Sequence, residues 1–528
     1  MKKLTGIIGA LLAVSLCCAS GRAQTPPKET LTFGFVDDVA SLDPAKSYEA
    51  TAFGILNYLY EPLVAFEGED FTAPVPKLAE SWEVGADGKT WTFHLRQGVS
   101  FASGNPVNAD AVVFSLRRFL KLGYSPSWVL MQLGLTEASI SKVNDAAIQL
   151  VVDQPYAPGI VLACLAFPGA SILDPQEVMA HEANGDMGSA WLETHSAGSG
   201  PFALEQRVSA APTEYTLVRN DRYWGSKPSV SRLALKGIQD QAEQAKMLAE
   251  GTLDMAWNLP LQNIEELLAN PDLHLTETTS TLLVYVGMNL GYAPLAQPAA
   301  RKAIKYALDY EGLKNFALQG ALAPQQTFIP PMLAGYNPAQ PYHRDLAKAK
   351  ALLAEAGYPD GFTVELKCLN YSPWTELAAQ IQENLAEIGI LITIIPKTGM
   401  AELFADAYSS ARSTQLLLWE WAFDYPDPDS LAKPFAHSTS TGADAKVQSL
   451  AWWLNYVNKE TSALVEQAAL EPDMAKRGAL YQQITDKILD DGPVAILGMR
   501  TYRYAVRKDI LEQIQSPDVI QYQFPAIK

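Results

Sequence analysis

Apolar and polar residues alternate strictly in one stretch of the N-terminal third of the chain. In Thr90–Arg96, polar residues separate Trp91, Phe93 and Leu95. This alternation places the three apolar side chains on one face of a predicted strand. An Asp-Gly-Lys sequence at 87–89 precedes it and separates it from another apolar segment. The pattern predicts a β-hairpin that turns at 87–89.

Helical spacing of apolar residues marks the longer elements, and several of these begin or end at capping residues such as Asn108 or Gly357. The predicted helices are Thr51–Tyr60, Asn108–Leu120, Asp240–Leu253, Pro298–Leu308, Asp345–Ala356, Trp374–Ile388 and Ala475–Leu489. The predicted strands besides the hairpin are Leu31–Phe35, Leu282–Met288, Phe362–Leu369, Ile390–Ile395, Leu416–Leu418 and Pro493–Met499.

Strands and helices of 10–15 residues follow one another in the C-terminal half of the chain. This order predicts an α/β lobe with a mostly parallel sheet. The chain has 528 residues, which is too long for a single hydrophobic core. The sequence therefore predicts an α/β fold with at least two domains or lobes.

The composition is that of a globular protein, with 48% hydrophobic and 19% charged residues. The formal net charge of −18 argues against nucleic acid or anionic lipid as a partner, because no basic cluster is available to neutralise phosphates. Eleven Trp and 22 Tyr leave many aromatic side chains free to line a pocket.

The first 23 residues have the features of a signal peptide. A basic start at Lys2 and Lys3 precedes an apolar run, Gly6–Ala19, that is too short to span a bilayer as a mature helix. Gly21–Ala23 supplies the small residues that a signal peptidase recognises. We expect the signal peptide, residues 1–23, to be removed, which leaves a soluble, secreted mature chain.

Two of the four cysteines lie in the predicted signal peptide, and the other two lie in the mature chain. Cys17 and Cys18 fall within the predicted signal peptide, and Leu16 makes a lipid anchor there the less favoured alternative. Cys164 and Cys368 remain in the mature chain, both in apolar segments that resemble strands. Because these two are far apart in sequence, we expect two separately buried thiols.

An aromatic and acidic segment, residues 419–429, directly follows the apolar run Leu416–Leu418. It contains four aromatic residues, three aspartates and two prolines. Aromatic rings with a carboxylate among them can hold a cation in a partly dry pocket. The alternative is a solvated Asp-Pro turn after a core strand, and composition alone favours that turn.

Catalytic and metal-binding motifs are missing from the sequence. The six histidines form no HExxH motif or close ligand pair, and no Gly-rich phosphate loop is present. Gly198–Gly200 lacks the spacing of a nucleophile elbow. The aspartates of 424–429 lack the Gly and the distal Glu of a calcium loop. We therefore predict no catalytic residue, no metal and no cofactor.

Residues 79–101, which contain the predicted hairpin and Gly98–Phe101, resemble the signature of the family 5 extracellular solute-binding proteins. These are the peptide- and nickel-type receptors of ABC importers. Gln97 departs from the pattern, which usually has a charged residue there. The resemblance continues in order along the chain through Ser41–Pro44, Tyr60–Leu63, Gly198–Phe202 and Arg219–Trp224.

The resemblance implies a two-lobed periplasmic-binding-protein fold with a hinge. Residues 24–285 would form the first lobe, including an inserted subdomain at about 76–194. Residues 286–499 would form the second lobe, and 500–528 would return to the first. Ligand would bind in the cleft between the lobes, where closure excludes water.

The same resemblance implies a receptor without enzymatic activity. It would be a periplasmic monomer that captures a small-molecule or oligopeptide ligand and delivers it to an ABC permease complex in the inner membrane. A peptide-like or cationic solute is the favoured ligand. An opine, a glycoside or a metal chelate is the alternative, and a secreted hydrolase is the least favoured reading.

Ligand contacts can be carried over to individual residues. In peptide-binding relatives an Asp in a Trp-x-x-Asp-Tyr context pairs with the α-ammonium of the ligand, and this position matches Asp424. Trp421 and Tyr425 are its aromatic neighbours. Trp419 and Tyr48 are further candidates for the cleft.

The loop Asn370–Trp374 departs from the dipeptide receptors, which place an Arg there. No Arg is present, so a free dipeptide would lose a bidentate partner for its carboxylate. The ligand would then be longer, capped or not a peptide. Tyr371 and Trp374 suggest an apolar or sugar-like portion packing there, although Trp374 would equally suit the core of its own helix.

Overall fold

The computed structural model describes residues 28–528 except 37–38, 67–70, 72, 211–212, 258, 260–266, 268, 319, 410, 444, 446, 516–518 and 521–525. The predicted signal peptide, with Cys17 and Cys18, lies outside the described residues. Within the described part of the chain, every helix is too short or too polar to cross a membrane.

The strands are β1 (Thr30–Phe35), β2 (Val64–Ala65), β3 (Val75–Pro76), β4 (Ala79–Val84), β5 (Thr90–Leu95), β6 (Ile140–Asn144), β7 (Ala147–Val151), β8 (Phe202–Val208), β9 (Thr213–Arg219), β10 (Arg232–Gly237), β11 (Met255–Ala256), β12 (Leu273–Met288), β13 (Leu322–Ala323), β14 (Thr363–Leu369), β15 (Leu391–Lys397), β16 (Leu416–Trp421), β17 (Val494–Arg507), β18 (Ile514–Gln515), β19 (Val519–Ile520) and β20 (Ala526–Ile527).

The α-helices are Ala50–Leu59, Ala109–Leu122, Trp128–Met131, Pro158–Leu165, Pro175–Ala180, Ser189–Leu192, Gln241–Ala249, Ala293–Ala296, Pro298–Ala307, Tyr310–Gly312, Leu346–Glu355, Trp374–Ala386, Met400–Phe404, Asp429–Ala436, Leu450–Trp453, Lys459–Leu470 and Met474–Asp491. Every helix and strand predicted above has a counterpart among these elements, with ends that differ by a few residues except at β12 and β17, which are much longer.

One large mixed sheet runs through the molecule in the order β15-β14-β16-β12-β17-β11-β1-β10-β9-β8. Strand β14 is parallel to β15 and β16, and β1 is parallel to β10 and β11. The other pairs along this order are antiparallel. The expectation of a mostly parallel sheet is therefore wrong, because the long strands β12 and β17 pair antiparallel to each other and to their neighbours.

These two long strands connect separate hydrophobic cores. In β12, Leu273 packs in a small cluster beside β11, whereas Leu283 packs in the core of the chain's second half. We call the part whose main core includes residues 31–255 the N-terminal lobe. The part whose cores span residues 283–499 is the C-terminal lobe. The predicted boundaries at 285 and 499 fall inside β12 and β17 and stay predictions.

The predicted hairpin forms β4 and β5 in a four-stranded sheet of order β4-β5-β7-β6. Trp91, Phe93 and Leu95 are all buried, as the alternation predicts. The helix Ala109–Leu122 packs against this sheet, and Oδ1 of Asn108 caps it by accepting a hydrogen bond from the Ala111 N–H. This sheet lies within the range predicted for the inserted subdomain.

The Ser41–Pro44 motif contains a buried ion pair. Nη1 and Nη2 of Arg118 donate to the two carboxylate oxygens of Asp43 at 2.9 and 2.7 Å, and both side chains are fully buried. Such bidentate geometry fixes orientation as well as charge. The motif therefore joins the segment after β1 to the helix Ala109–Leu122.

Three of the family motifs meet at Glu61, which is itself buried. Its Oε2 accepts hydrogen bonds of 2.8 Å from the Ser199 hydroxyl and from Nε1 of Trp224. Burial raises the pKa of Glu61, although these hydrogen bonds oppose the shift. The residues of these motifs thus hold segments of the N-terminal lobe together through buried hydrogen bonds.

Cys164 and Cys368 are free and separately buried, which confirms the prediction for the two thiols. Cys368 lies in β14, but Cys164 lies in the helix Pro158–Leu165 rather than in a strand. A short apolar run has no periodicity that separates a strand from a buried helix. Pro158 at the first helical position was the local signal for a helix.

Candidate ligand-binding site

Strand β16 carries the aromatic and acidic segment to the junction between the lobes. It extends to Trp421 rather than ending at Leu418, because its aromatic end continues the pairing with β12 up to Leu283. After the strand, Phe423 packs in a core of the C-terminal lobe and Tyr425 packs in the core of the N-terminal lobe. Asp424, between them, therefore lies at the boundary of the two lobes.

Asp424 is held in place by contacts from both sides of this boundary. Its backbone N–H donates to Oγ of Ser430 at 2.7 Å. Its Oδ1 accepts a 2.7 Å hydrogen bond from the hydroxyl of Tyr48, which packs against Phe167 in the N-terminal lobe. The same hydroxyl accepts a 2.7 Å hydrogen bond from Nε1 of Trp128. The structure thus brings Tyr48 and Asp424 together.

Partial burial perturbs the Asp424 carboxyl. Loss of solvent raises its pKa to about 6, and the Tyr48 hydrogen bond opposes this shift. A carboxyl with this pKa is ionised at neutral pH. A cation entering the junction would restore the lost solvation of the carboxylate.

A wall of aromatic rings lies in the C-terminal lobe at the end of β16. Trp421 lies 5.6 Å from Trp453 between ring centroids, and Trp453 lies 5.1 Å from Tyr408. Trp419 stacks on Trp374 at 5.0 Å. Trp421 is partly buried and Tyr408 is exposed, so this end of the wall is open to a ligand.

Trp374 and Tyr425, two of the predicted contacts, are buried in this conformation. Trp374 is a core residue beneath Trp419, which is the alternative left open for it in the sequence. The hydroxyl of Tyr425 donates to Oδ2 of Asp429 at 2.7 Å and also lies 3.2 Å from Oε1 of Gln132. Both residues pack beneath the residues that precede and follow Asp424 in the site. Their contact with a ligand stays a prediction.

Tyr371 is exposed in the loop that follows β14. Because β14 and β16 are parallel neighbours, this loop lies at the same edge of the sheet as the residues after Trp421. The contact of Tyr371 with a ligand stays a prediction. None of the hydrogen bonds and ring contacts described above joins it to Asp424.

The expectation of an exposed turn at Asp427 and Asp429 is wrong. Asp427 is 4% exposed and Asp429 is fully buried. Nη1 and Nη2 of Arg477 donate to the two oxygens of Asp427 at 2.7 and 2.5 Å. Lys433 pairs with Asp429 at 2.7 Å. The partner Arg477 comes from the helix Met474–Asp491, and no local pattern could have indicated it.

The sequence analysis missed Trp128, which binds the Tyr48 hydroxyl, and the pair formed by Glu420 and Arg500. Nη1 of Arg500 in β17 lies 3.2 Å from Oε2 of Glu420 in β16. The strand holding Arg500 was predicted to end at Met499. A cation directly after the apolar run Val494–Met499 was the available signal, because a partly buried charge needs a partner.

A separate cavity of about 350 Å³ lies in the C-terminal lobe. It is lined by polar and aromatic side chains that include Asp309, Tyr310, Gln325, Tyr342, His343 and Arg344. None of the seven residues predicted to bind ligand lines it. Among the described residues, no group of three or more His, Cys, Asp or Glu side chains is placed to hold a metal ion.

Comparison with curated proteins finds relatives along nearly the whole chain. The chain is 29% identical over 526 residues to the probable D,D-dipeptide-binding periplasmic protein DdpA of Escherichia coli (strain K12), covering 98% of each chain. It is 30% identical over 495 residues to the dipeptide-binding protein of the same organism, covering 89% of this chain and 88% of the relative.

A solved structure shares the two-lobed fold. The ABC transporter-associated periplasmic binding protein DppA of Helicobacter pylori, in complex with the peptide STSA, superposes with a TM-score of 0.76 and 25% identity. The match covers 94% of this chain and 98% of that protein. The α/β, two-lobed binding-protein fold expected from the sequence is therefore confirmed.

The family model of the bacterial extracellular solute-binding proteins, family 5 (Middle), matches residues 73–443. This range is well over half of the 528 residues. It includes the hairpin sheet, β12, β16 and Asp424. The chain therefore belongs to the bacterial extracellular solute-binding proteins of family 5.

Proposed function

We propose that this protein is the periplasmic receptor of an ABC importer for peptide-like solutes, and that Asp424 binds the α-ammonium group of the ligand. Membership of family 5 supports the receptor role. Two relatives along most of the chain are named as dipeptide-binding proteins, which supports a peptide-like ligand.

The observation that carries the proposal is the position of Asp424 between the two lobes. Its neighbours Phe423 and Tyr425 pack into cores of different lobes, and Tyr48 reaches its carboxylate across the junction. A buried ammonium needs a counter-charge. Asp424 is a carboxylate whose pKa is already raised by burial, so pairing with a cation would relieve an existing desolvation cost.

Aromatic residues complete the proposed site. The Tyr48 hydroxyl contacts the carboxylate and Trp421 precedes it by three residues, and a ring face adds about 1 kcal/mol to the binding of a desolvated cation. Trp419 and Tyr371 are placed toward the same edge of the sheet. We assign Trp374 and Tyr425 supporting positions beneath this surface, where closure of the cleft determines how far a ligand reaches them.

The proposed receptor binds its ligand without turning it over. The two curated relatives are named as binding proteins. The closed receptor would be the form that delivers solute to the permease complex in the inner membrane. The mature protein would be a soluble periplasmic monomer after removal of residues 1–23.

Mass spectrometry of ligand released from the purified mature protein tests the proposal. We expect peptides with a free amino terminus, recovered unaltered after incubation with the protein. Calorimetry with the synthetic peptides should then give one site per chain. Recovery of an opine, a glycoside or a metal chelate in place of a peptide would contradict the peptide assignment, and product formation would contradict a pure receptor.

A further inference from the structure

The cavity of about 350 Å³ in the C-terminal lobe lies apart from the aromatic wall of the cleft. Its apolar lining includes Leu322 of β13 and Leu497 of β17, which pack in the core that contains Leu418. Trp421, by contrast, packs against the other large core of this lobe. The cavity therefore belongs to a different part of the lobe from the proposed peptide site.

Two buried glutamines hold the wall of this cavity in place. Oε1 of Gln326 accepts a 2.9 Å hydrogen bond from the Tyr342 N–H, and its Nε2 donates to the Tyr342 carbonyl at 2.6 Å. Nε2 of Gln325 donates to the carbonyl oxygens of Thr327 and Ile329 at 2.8 and 3.2 Å. Gln325 and Gln326 are only 3% and 7% exposed, so these bonds fix the segments on either side of the cavity.

The two tyrosines of the cavity have hydroxyl groups that are bound within the protein. The Tyr310 hydroxyl donates to the Lys305 carbonyl at 3.2 Å, and the Tyr342 hydroxyl donates to the Leu489 carbonyl at 2.8 Å. Their rings and the leucine side chains thus offer apolar surface to an occupant. Because a cavity of about 150 Å³ already accepts benzene, this one has room for a phenyl or branched alkyl group together with a charged head.

Side chains of both charges line the cavity, and some of them are already engaged. Oδ1 of Asp309 caps the short helix that follows it, and Arg344 pairs with Glu387. The side chains of Glu311 and Lys314, however, form no hydrogen bond or ion pair with any described residue. Glu311 is exposed and Lys314 is partly buried. A free carboxylate and a free ammonium group therefore line the same cavity.

We propose that this cavity is a second binding site, for a free α-amino acid with a large apolar side chain, such as leucine or phenylalanine. The ammonium group of the amino acid pairs with Glu311, and its carboxylate pairs with Lys314. Its side chain lies against the tyrosine rings and the leucines. A compound with only one of the two charges leaves one of these side chains without a partner. The site does not depend on the peptide assigned to the cleft.

Equilibrium dialysis of the mature wild-type protein tests the proposal. The probes are L-phenylalanine, N-acetyl-L-phenylalanine, which lacks the ammonium group, and L-phenylalaninamide, which lacks the carboxylate. We expect phenylalanine to bind at one site per chain and each derivative to bind about 10-fold more weakly, because one charge-assisted hydrogen bond is lost. Asp424→Asn should bind phenylalanine as tightly as the wild type, since the cavity is separate from the cleft.

Lys314→Met removes the ammonium group and keeps an unbranched side chain. It should bind phenylalanine about 10-fold more weakly and should no longer distinguish phenylalanine from its amide. Lys350→Met is the matched control, because Lys350 is exposed in the helix Leu346–Glu355 and does not line the cavity. It should bind all three probes like the wild type. A preference of Lys314→Met for phenylalanine over its amide as large as that of the wild type would overturn the proposal.

Two outcomes on proteins that keep the cavity intact would also overturn it. The first is that the wild type binds no phenylalanine at millimolar concentration, or binds phenylalanine and its two derivatives equally. The second is that Asp424→Asn loses phenylalanine binding, which would place this ligand in the cleft. Neither outcome bears on the peptide receptor, and the wild-type comparison holds even if Lys314→Met fails to fold.

Discussion

The hydroxyl group of Tyr48 donates a 2.7 Å hydrogen bond to Oδ1 of Asp424, across 376 positions of sequence and between the two lobes. This contact joins the two lobes at the Asp424 carboxylate. Burial raises the pKa of this carboxyl, and a positively charged ligand would restore the solvation that the carboxylate has lost.

Replacing Asp424 with Asn should weaken binding of a peptide with a free amino terminus by about 2–5 kcal/mol, because the buried ammonium loses its counter-charge. The change keeps the side-chain shape, so calorimetry should show the loss without a large change in unfolding temperature. Tyr48→Phe is the control, since it removes one neutral hydroxyl and should cost only about 1 kcal/mol. Equal losses for both variants would argue against an ammonium at Asp424.

Affinity for the same peptide should fall at acidic pH. Burial raises the pKa of Asp424 to about 6 in the ligand-free protein, and only the ionised carboxylate attracts an ammonium. The peptide amino group has a pKa of about 8 and stays mostly protonated between pH 5 and pH 7. Affinity should therefore be about half of its full value at pH 6 and about tenfold lower at pH 5 than at pH 7.

Titration calorimetry between pH 5 and pH 7 measures this dependence. Asp424→Asn should bind weakly with a flat profile over the same range. A profile in the Asn variant as steep as that of the wild type would assign the pH dependence to another group.

Local patterns were sufficient for the elements that need no distant partner. Strict alternation predicted the burial of Trp91, Phe93 and Leu95, because a strand with one buried face repeats every second residue. Likewise the cap at Asn108 depends only on its own helix. In contrast, β16 continued through Trp419 and Trp421 because β12 pairs with it, and the sequence alone gave no sign of that neighbour.

The charged residues of the site show more clearly what local sequence patterns cannot predict. Asp427 sits beside a proline and has the local appearance of a solvated turn, yet Arg477, 50 residues away, buries it as an ion pair. Arg500 escaped notice because its partner Glu420 lies 80 residues earlier in another strand. Pairing of charges across a fold depends on tertiary contacts, so a single sequence names the candidate carboxylates but not their roles.

Replacing Asp427 with Ala should destabilise the whole protein by about 3–5 kcal/mol, because Arg477 would remain buried without its counter-charge. Urea unfolding of the ligand-free variant measures the loss of free energy. The double variant Asp427→Ala with Arg477→Met removes the buried cation as well and should recover part of the stability. A change below 1 kcal/mol for Asp427→Ala would show that the pair contributes no more than a surface ion pair.

Closure of the cleft should depend on Gln132 as well as on the ligand. Its Oε1 lies 3.0 Å from Nζ of Lys433 and 3.2 Å from the hydroxyl of Tyr425. These contacts tie the N-terminal lobe to the segment that follows Asp424. Gln132→Met keeps a side chain of similar length and removes the acceptor, so it should disfavour the closed form by about 1–3 kcal/mol.

Since that change acts on closure and not on the ligand, every ligand should lose affinity by the same factor. Free and amidated peptides should therefore weaken equally in Gln132→Met. Small-angle X-ray scattering with saturating peptide should show compaction in the wild type and in the variant. Calorimetry should show a weaker affinity of the variant for every peptide. Because the loss is the same for each of them, it reflects a less favourable closing step. Scattering profiles of the wild type that are identical with and without a tightly bound peptide would contradict hinge closure, and the role of Gln132 with it.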